Sequence, residues 1–161
     1  MEIDTTPNFW PNRPGEPVRG IVVHVTEGSY ESARAWITNP ASSASYHFIV
    51  KRDGTAVQFV DTDAAAWANG LVVTPTWPLL IPGRNPNLYT LSIAYAGVES
   101  EGPTIQQAVT IAALIRQLAT QYMLPIDKTH VIPHNSIHGG KTCPGPRCDM
   151  TALRWLASLP Q

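Results

Sequence analysis

The run Gly20-Ile21-Val22-Val23-His24-Val25 is apolar and rich in β-branched residues, the pattern of a strand covered on both faces, with one imidazole set into it. Ser29 is placed to cap a helix running through Ala33, Trp36 and Ile37, and Asn39-Pro40 must end it, because a residue before proline is pushed out of the helical region. Tyr46 to Lys51 and Ala56 to Val60, joined across Asp53-Gly54, read as the two strands of a hairpin. Gly70 to Asn87 carries Pro75, Pro78, Pro82 and Pro86 and is expected to be a long irregular loop. Leu88 to Tyr95 reads as a further strand. Thr104 with Gln107 forms a capping box that opens a long helix, whose Ala108, Ile111, Ala112, Ile115, Leu118, Ala119 and Tyr122 recur at helical spacing and should face a sheet. Val131-Ile132 is a short strand leading to His134, and Asp149 caps a closing helix over Met150 to Leu159 in which Trp155, like Trp36 earlier, fits the core pattern.

Alternating strands and helices with one hairpin predict an α/β fold, a mixed central β-sheet flanked by α-helices. The 161 residues suit a single domain, 1–161. A content of 43% hydrophobic and only 14% charged residues excludes a disordered or highly charged chain. With 11 Lys and Arg against 12 Asp and Glu there is no basic surplus for a nucleic acid or an anionic membrane surface. The longest uncharged run, Ala64 to Gly83, is broken by glycine and proline, so no membrane insertion is expected. The first residues, Met1 to Thr6, have neither a basic leader nor an apolar stretch, which predicts a protein that stays in the cytoplasm or leaves it by another route.

Candidate chemistry gathers late in the chain, where Pro133 to Gly145 holds His134, His138, Lys141 and Cys143 in a turn-rich stretch. Ligands in open sheets collect at the carboxyl ends of strands, and His24 and His134 both lie near such ends. Zinc accepts imidazole nitrogen and thiolate sulfur, and two His with one Cys leave a fourth position open for water. The two cysteines, Cys143 and Cys148, exclude a multi-bridge framework; Cys148 is read as a free thiol in preference to a second ligand or a disulfide partner. His47 alternates with Tyr46 and should face away from it. His47, His130 and His138 are given no site role. Trp67, Trp77 and Tyr46 are candidates for walls that meet sugar or peptide. Arg84 is read as a solvated surface arginine.

Three stretches resemble the type 2 group of zinc-dependent N-acetylmuramoyl-L-alanine amidases, which includes phage lysozymes and peptidoglycan recognition proteins: Ile21 to Thr26, Tyr46 to Gly54, and His134 with Gly140-Lys141-Thr142-Cys143-Pro144-Gly145. The resemblance implies a Zn²⁺ site held by His24, His134 and Cys143, with Tyr46 and Lys141 as catalytic residues. It implies cleavage of the amide between N-acetylmuramic acid and L-alanine, with peptidoglycan or a muropeptide as substrate, in a monomer. The phage endolysin branch is favoured over a muropeptide-recycling enzyme, with a binding module of the same fold as the non-enzymatic alternative. Lys141 and Cys143 are two apart, so an extended backbone presents both to one face, where the ammonium can stabilise a developing oxyanion. Two positions depart from many relatives: Ala96 stands where they carry a Glu, with Glu99 or Glu101 as candidate replacements, and Ala68 stands where they carry a His after Trp67. Trp67 and Asn69 are expected to contact substrate.

Overall fold

The computed structural model describes residues 1–160 and contains a six-stranded mixed sheet, a small two-stranded sheet and three helices. In chain order the elements are β1 (Glu2–Ile3), β2 (Phe9–Trp10), β3 (Gly20–Val25), α1 (Tyr30–Thr38), β4 (Phe48–Val50), β5 (Ala56–Gln58), β6 (Ala65–Ala66), β7 (Thr90–Tyr95), α2 (Ile105–Gln121), β8 (Val131–Pro133) and α3 (Met150–Ser158). The sheet order is β1-β5-β4-β7-β3-β8. Strands β4, β7, β3 and β8 run parallel, while β5 turns back against β4 and carries β1 beside it. Among the described residues no helix is long and apolar enough to cross a membrane.

The expected elements form for local reasons that the structure makes explicit. Ser29 accepts from Ser32 N–H at the start of α1, and Asp149 accepts from Thr151 and Ala152 N–H at the start of α3. Thr104 and Gln107 close a complete capping box on α2. Gln107 then does more than cap. Its buried amide donates to the carbonyls of Val50 (3.0 Å) and Ala96 (2.8 Å), tying the helix start to the ends of β4 and β7. The strand expected from Leu88 begins only at Thr90, because Asn85 caps a single 3₁₀ turn over Pro86–Leu88.

Side chains alternate across β3 and β7 and so divide the interior. Ile21, Val23, Val25, Leu91, Ile93 and Tyr95 pack with Ile111, Ile115, Leu118 and Leu153 of α2 and α3. On the opposite face lie two separate apolar clusters. One sets Ile37 of α1 against Ile49, Phe59 and Ala94; the other sets Val22 and Ile132 against Trp77, Tyr89 and Ile137 beneath the long loop. The buried polar residues His24, Ser92 and His47 lie diagonally between these clusters, Ser92 opposite Val22 and His24 opposite Ala94. A polar strip therefore crosses an otherwise apolar face.

Three tryptophans differ from the sequence expectation. Trp36 and Trp155 are 59% and 60% exposed, because α1 buries only Ala33 and Ile37 and α3 only Leu153 and Ala157, narrow stripes that exclude both rings. Trp77 is not a cleft wall. It is buried, stacks on Tyr89 with centroids 5.8 Å apart, and donates its indole N–H to the Thr129 carbonyl. Strands β1, β2 and β6 are additions that the sequence pattern did not indicate.

Candidate metal centre and its cleft

His24 stands near the carboxyl end of β3, His134 opens the 3₁₀ turn that follows β8, and Cys143 lies on the loop that returns from that turn. The loop is pinned at several points. Asn135 N–H donates to the Cys143 carbonyl (3.0 Å), and the buried Tyr95 hydroxyl donates to the Pro144 carbonyl (2.5 Å). The result brings His24, His134 and Cys143 together, all buried, with one donor atom from each lying within 4.8 Å of the others. The two imidazole rings are 4.5 Å apart, and His24 Nδ1 lies 4.0 Å from Cys143 Sγ.

The polar atoms at this point fit a metal. His24 Nε2 and His134 Nδ1 are buried without a hydrogen-bond partner, an arrangement that is rare without a further ligand. His134 Nε2 lies 3.0 Å from the Asn69 carbonyl, which can only accept, so that nitrogen carries the proton and Nδ1 keeps its lone pair. Burial, then the neighbouring positive charges, holds His24 well below the usual imidazole range, and burial likewise lowers His134, so both rings stay neutral donors at pH 7. Burial pushes the Cys143 thiol up to about 11; the Val25 N–H pointing at the sulfur (3.4 Å) acts in the opposite sense. A tetrahedral zinc with bonds of about 2.0–2.3 Å separates its donors by roughly 3.5 Å, slightly closer than the spacing found.

A cleft of about 530 Å³ opens over these donors, lined among others by Tyr46, Trp67, Trp36, Glu99 and Lys141. The Tyr46 ring is tilted against His24 at 5.3 Å, and burial raises its hydroxyl above the ordinary phenol range, so it is a proton donor and not a base at neutral pH. Lys141 is exposed at the mouth, and its charge contributes to lowering both imidazoles and the thiol. Glu99 faces this cleft and accepts from the Thr142 hydroxyl, whereas Glu101 is drawn off into an ion pair with Arg52 at 2.8 Å. Ala96 is buried and offers no polar group.

Asn69, expected at the substrate, is fully buried. Its side chain donates to Thr90 Oγ1 (2.8 Å), and its carbonyl is the one that orients His134. Asn87, which the sequence did not single out, holds that segment in place. Its side-chain oxygen accepts from the N–H groups of Ala68 (3.2 Å) and Asn69 (2.9 Å). Behind it Arg13 donates to the carbonyls of Thr62, Asn87 and Thr90 and reaches His47 Nε2 at 2.6 Å, so burial lowers its guanidinium to about 10. His47 is not among the clustered donors. It pairs with Ser92, and burial followed by the Arg13 charge takes it down to about 3.

The remaining residues fall outside the cluster. His138 packs edge-on to His134 at 6.3 Å with its Nδ1 unpartnered, and His130 pairs with Asp127 at 2.8 Å. Cys148 is a buried free thiol in the apolar cluster beneath α3. Arg84 reaches Glu16 at 3.4 Å.

Two neutral imidazoles and a thiol, buried together beside an open cleft, are a donor set that could hold a metal ion. The chain belongs to the N-acetylmuramoyl-L-alanine amidase family, Amidase_2, whose model it matches over residues 14–146. Among its relatives, the 1,6-anhydro-N-acetylmuramyl-L-alanine amidase AmpD of Salmonella typhimurium is 31% identical over 117 residues, 71% of this chain and 58% of the relative. The chain spans less than two thirds of the length of the curated relatives it matches. A crystal structure of an AmpD derivative superposes with a TM-score of 0.78 at 23% identity, covering 98% of this chain and 94% of the other. The endolysin amidase LysCS of Clostridium intestinale superposes at 0.66 with 20% identity, covering 99% and 97%.

Proposed function

We propose that this protein hydrolyses the amide between N-acetylmuramic acid and L-alanine of peptidoglycan, with Zn²⁺ held by His24, His134 and Cys143. The observation that carries the reading is the convergence of three buried donors, two of them with orphaned nitrogens, at the floor of an open cleft in a chain of this family. Lewis acidity and the activation of water for attack on an amide are what zinc supplies in a three-ligand site. The chain's own groups do the rest. The Lys141 ammonium at the mouth meets the negative charge that grows on the scissile carbonyl oxygen. The Tyr46 hydroxyl, kept protonated by its surroundings, donates a hydrogen bond to the same oxygen or to the incoming water. Trp67 walls one side of the cleft and excludes solvent from the reacting amide.

The substrate is the wall polymer, which makes the protein an endolysin-type enzyme acting as a monomer. The favoured branch rests on the Tyr46 and Lys141 pair; a soluble anhydromuropeptide, suggested by the AmpD relatives, is the second reading. Purified zinc-loaded protein is expected to release new amino termini from intact sacculi. No release from any peptidoglycan preparation would overturn the amidase reading, and release from soluble anhydromuropeptides alone would assign the recycling role instead.

A further inference from the structure

The cleft does not stop at the metal donors. On one side it continues into a depression of about 410 Å³ lined by Trp10, Ser43, Trp67, Gly70, Asn85 and Asn87. That in turn shares Trp10 and Asn85 with a third hollow of about 480 Å³, bounded by Pro11, Asn12, Pro14 and Leu88. The junction is an aromatic shelf. Pairing of β2 with β6, Phe9 opposite Ala66 and Trp10 opposite Ala65, sets the Trp10 ring 5.5 Å from Trp67 at an angle of 58°. Trp10 is nonetheless 37% exposed, so a large apolar ring is presented to solvent beside the cleft.

The chemistry of this arm differs from that around the metal donors. No ionisable side chain lines either outer depression; the polar groups are the amides of Asn12, Asn85 and Asn87, the last two with their oxygens engaged by backbone N–H groups, the hydroxyl of Ser43 and the indole N–H groups of Trp10 and Trp67. On the other side, Glu27, Glu99 and Lys141 border the main cleft. A stem peptide carries carboxylates and amines and matches the charged side. A glycan strand is neutral along its pyranose rings, with C–H faces that suit an indole and hydroxyl and acetamido groups that suit neutral amides.

We infer that the Trp10–Trp67 shelf is a saccharide subsite, receiving the sugars adjoining the muramoyl residue of an uncleaved glycan strand. The assignment rests on the amidase reading for the substrate's orientation. It implies that the enzyme engages more than one sugar, so its preference for polymer over a single-sugar muropeptide resides in this arm.

The test uses the zinc-loaded full chain and β-1,4-linked N-acetylglucosamine oligomers of one to four sugars, which contain no scissile amide, with binding followed by tryptophan fluorescence. Affinity is expected to rise with oligomer length. Trp10→Ala should weaken binding of the tetramer roughly five- to tenfold, the loss of one stacked aromatic contact, and Trp10→Phe should recover most of it. The ratio of kcat/KM on glycan strands to that on a single-sugar muropeptide should fall by a similar factor in Trp10→Ala. Wild-type tetramer affinity in the alanine variant, or an unchanged substrate ratio, would overturn the inference. Should Trp10→Ala fail to fold, affinity of the natural chain that does not grow with oligomer length would overturn it equally, and growth would support it. Oligomer binding that depends on Trp10 in a protein that cleaves nothing would sink the amidase reading while leaving the saccharide site standing.

Discussion

Asn87→Ala is the perturbation that best separates the metal donors from the scaffold holding them. The lost side-chain oxygen accepts two backbone N–H groups, from half-buried Ala68 and fully buried Asn69. Leaving a buried donor unsatisfied costs about 1–3 kcal/mol, so the folded state should lose about 2–4 kcal/mol, with Ala68 at the low end because water reaches it. The same segment presents the carbonyl that fixes the His134 tautomer, and loss of a partner oriented in this way weakens metal affinity about 10- to 100-fold. At saturating zinc that factor removes a further ~1.4–2.7 kcal/mol of metal-linked stabilisation. Asn87→Asp keeps the accepting oxygen and should retain most of both quantities. Urea unfolding with and without zinc gives the stability terms, and competition with a chromogenic chelator gives the affinity of the folded protein. A folded Asn87→Ala protein with wild-type zinc affinity would refute the positioning argument, as would an Asn87→Asp protein that loses as much metal as the alanine variant.

Other substitutions divide ligand from catalyst. Cys143→Ser should lose zinc and activity together, because a hydroxyl does not readily ionise to replace the thiolate, while Lys141→Ala should keep stoichiometric metal and lose roughly 10²-fold or more in kcat; metal content beside turnover checks both. Glu99→Gln should lower turnover by about 10²-fold or more if that carboxylate moves a proton, with Glu101→Gln near wild type because its partner is Arg52 and it lies off the cleft; equal effects in a kinetic assay would remove Glu99 from the reaction. His47 has its folded pKa depressed to about 3, so the unfolded chain binds more protons below its ordinary value near 6.5. Its contribution is therefore fully present above pH 6.5 and falls by about 1.4 kcal/mol for each pH unit below that. Urea titrations of metal-free protein at pH 7, 6 and 5 should show at least this slope, to which the likewise depressed His24 and His134 add, and His47→Gln should reduce it; a slope unchanged in that variant would show that His47 does not contribute to acid sensitivity.

What could be read from the sequence divides along locality. The continuous β-branched run of β3, the Ser29, Thr104 and Asp149 caps and the Asp53-Gly54 turn are decided by neighbours in the chain, and each appears where its pattern places it. The two-residue strands β1, β2 and β6 have no periodicity to display, since what makes them strands is a partner about 55 residues away. The site follows the same division. His24, His134 and Cys143 announce themselves by chemical type, but Asn69 acts through its backbone carbonyl, an atom every residue possesses, so its identity misdirects toward the substrate. Arg13 looks like an ordinary cation in a proline-rich stretch, and only the fold shows it buried among the carbonyls of Thr62, Asn87 and Thr90. A polar strip between two apolar clusters is what these residues build jointly. Apolar packing on either side fixes the sheet, and the strip lets Arg13 hold Asn87, Asn87 hold Asn69, and Asn69 hold His134, so that the imidazole lining the cleft is aimed by a residue near the start of the chain.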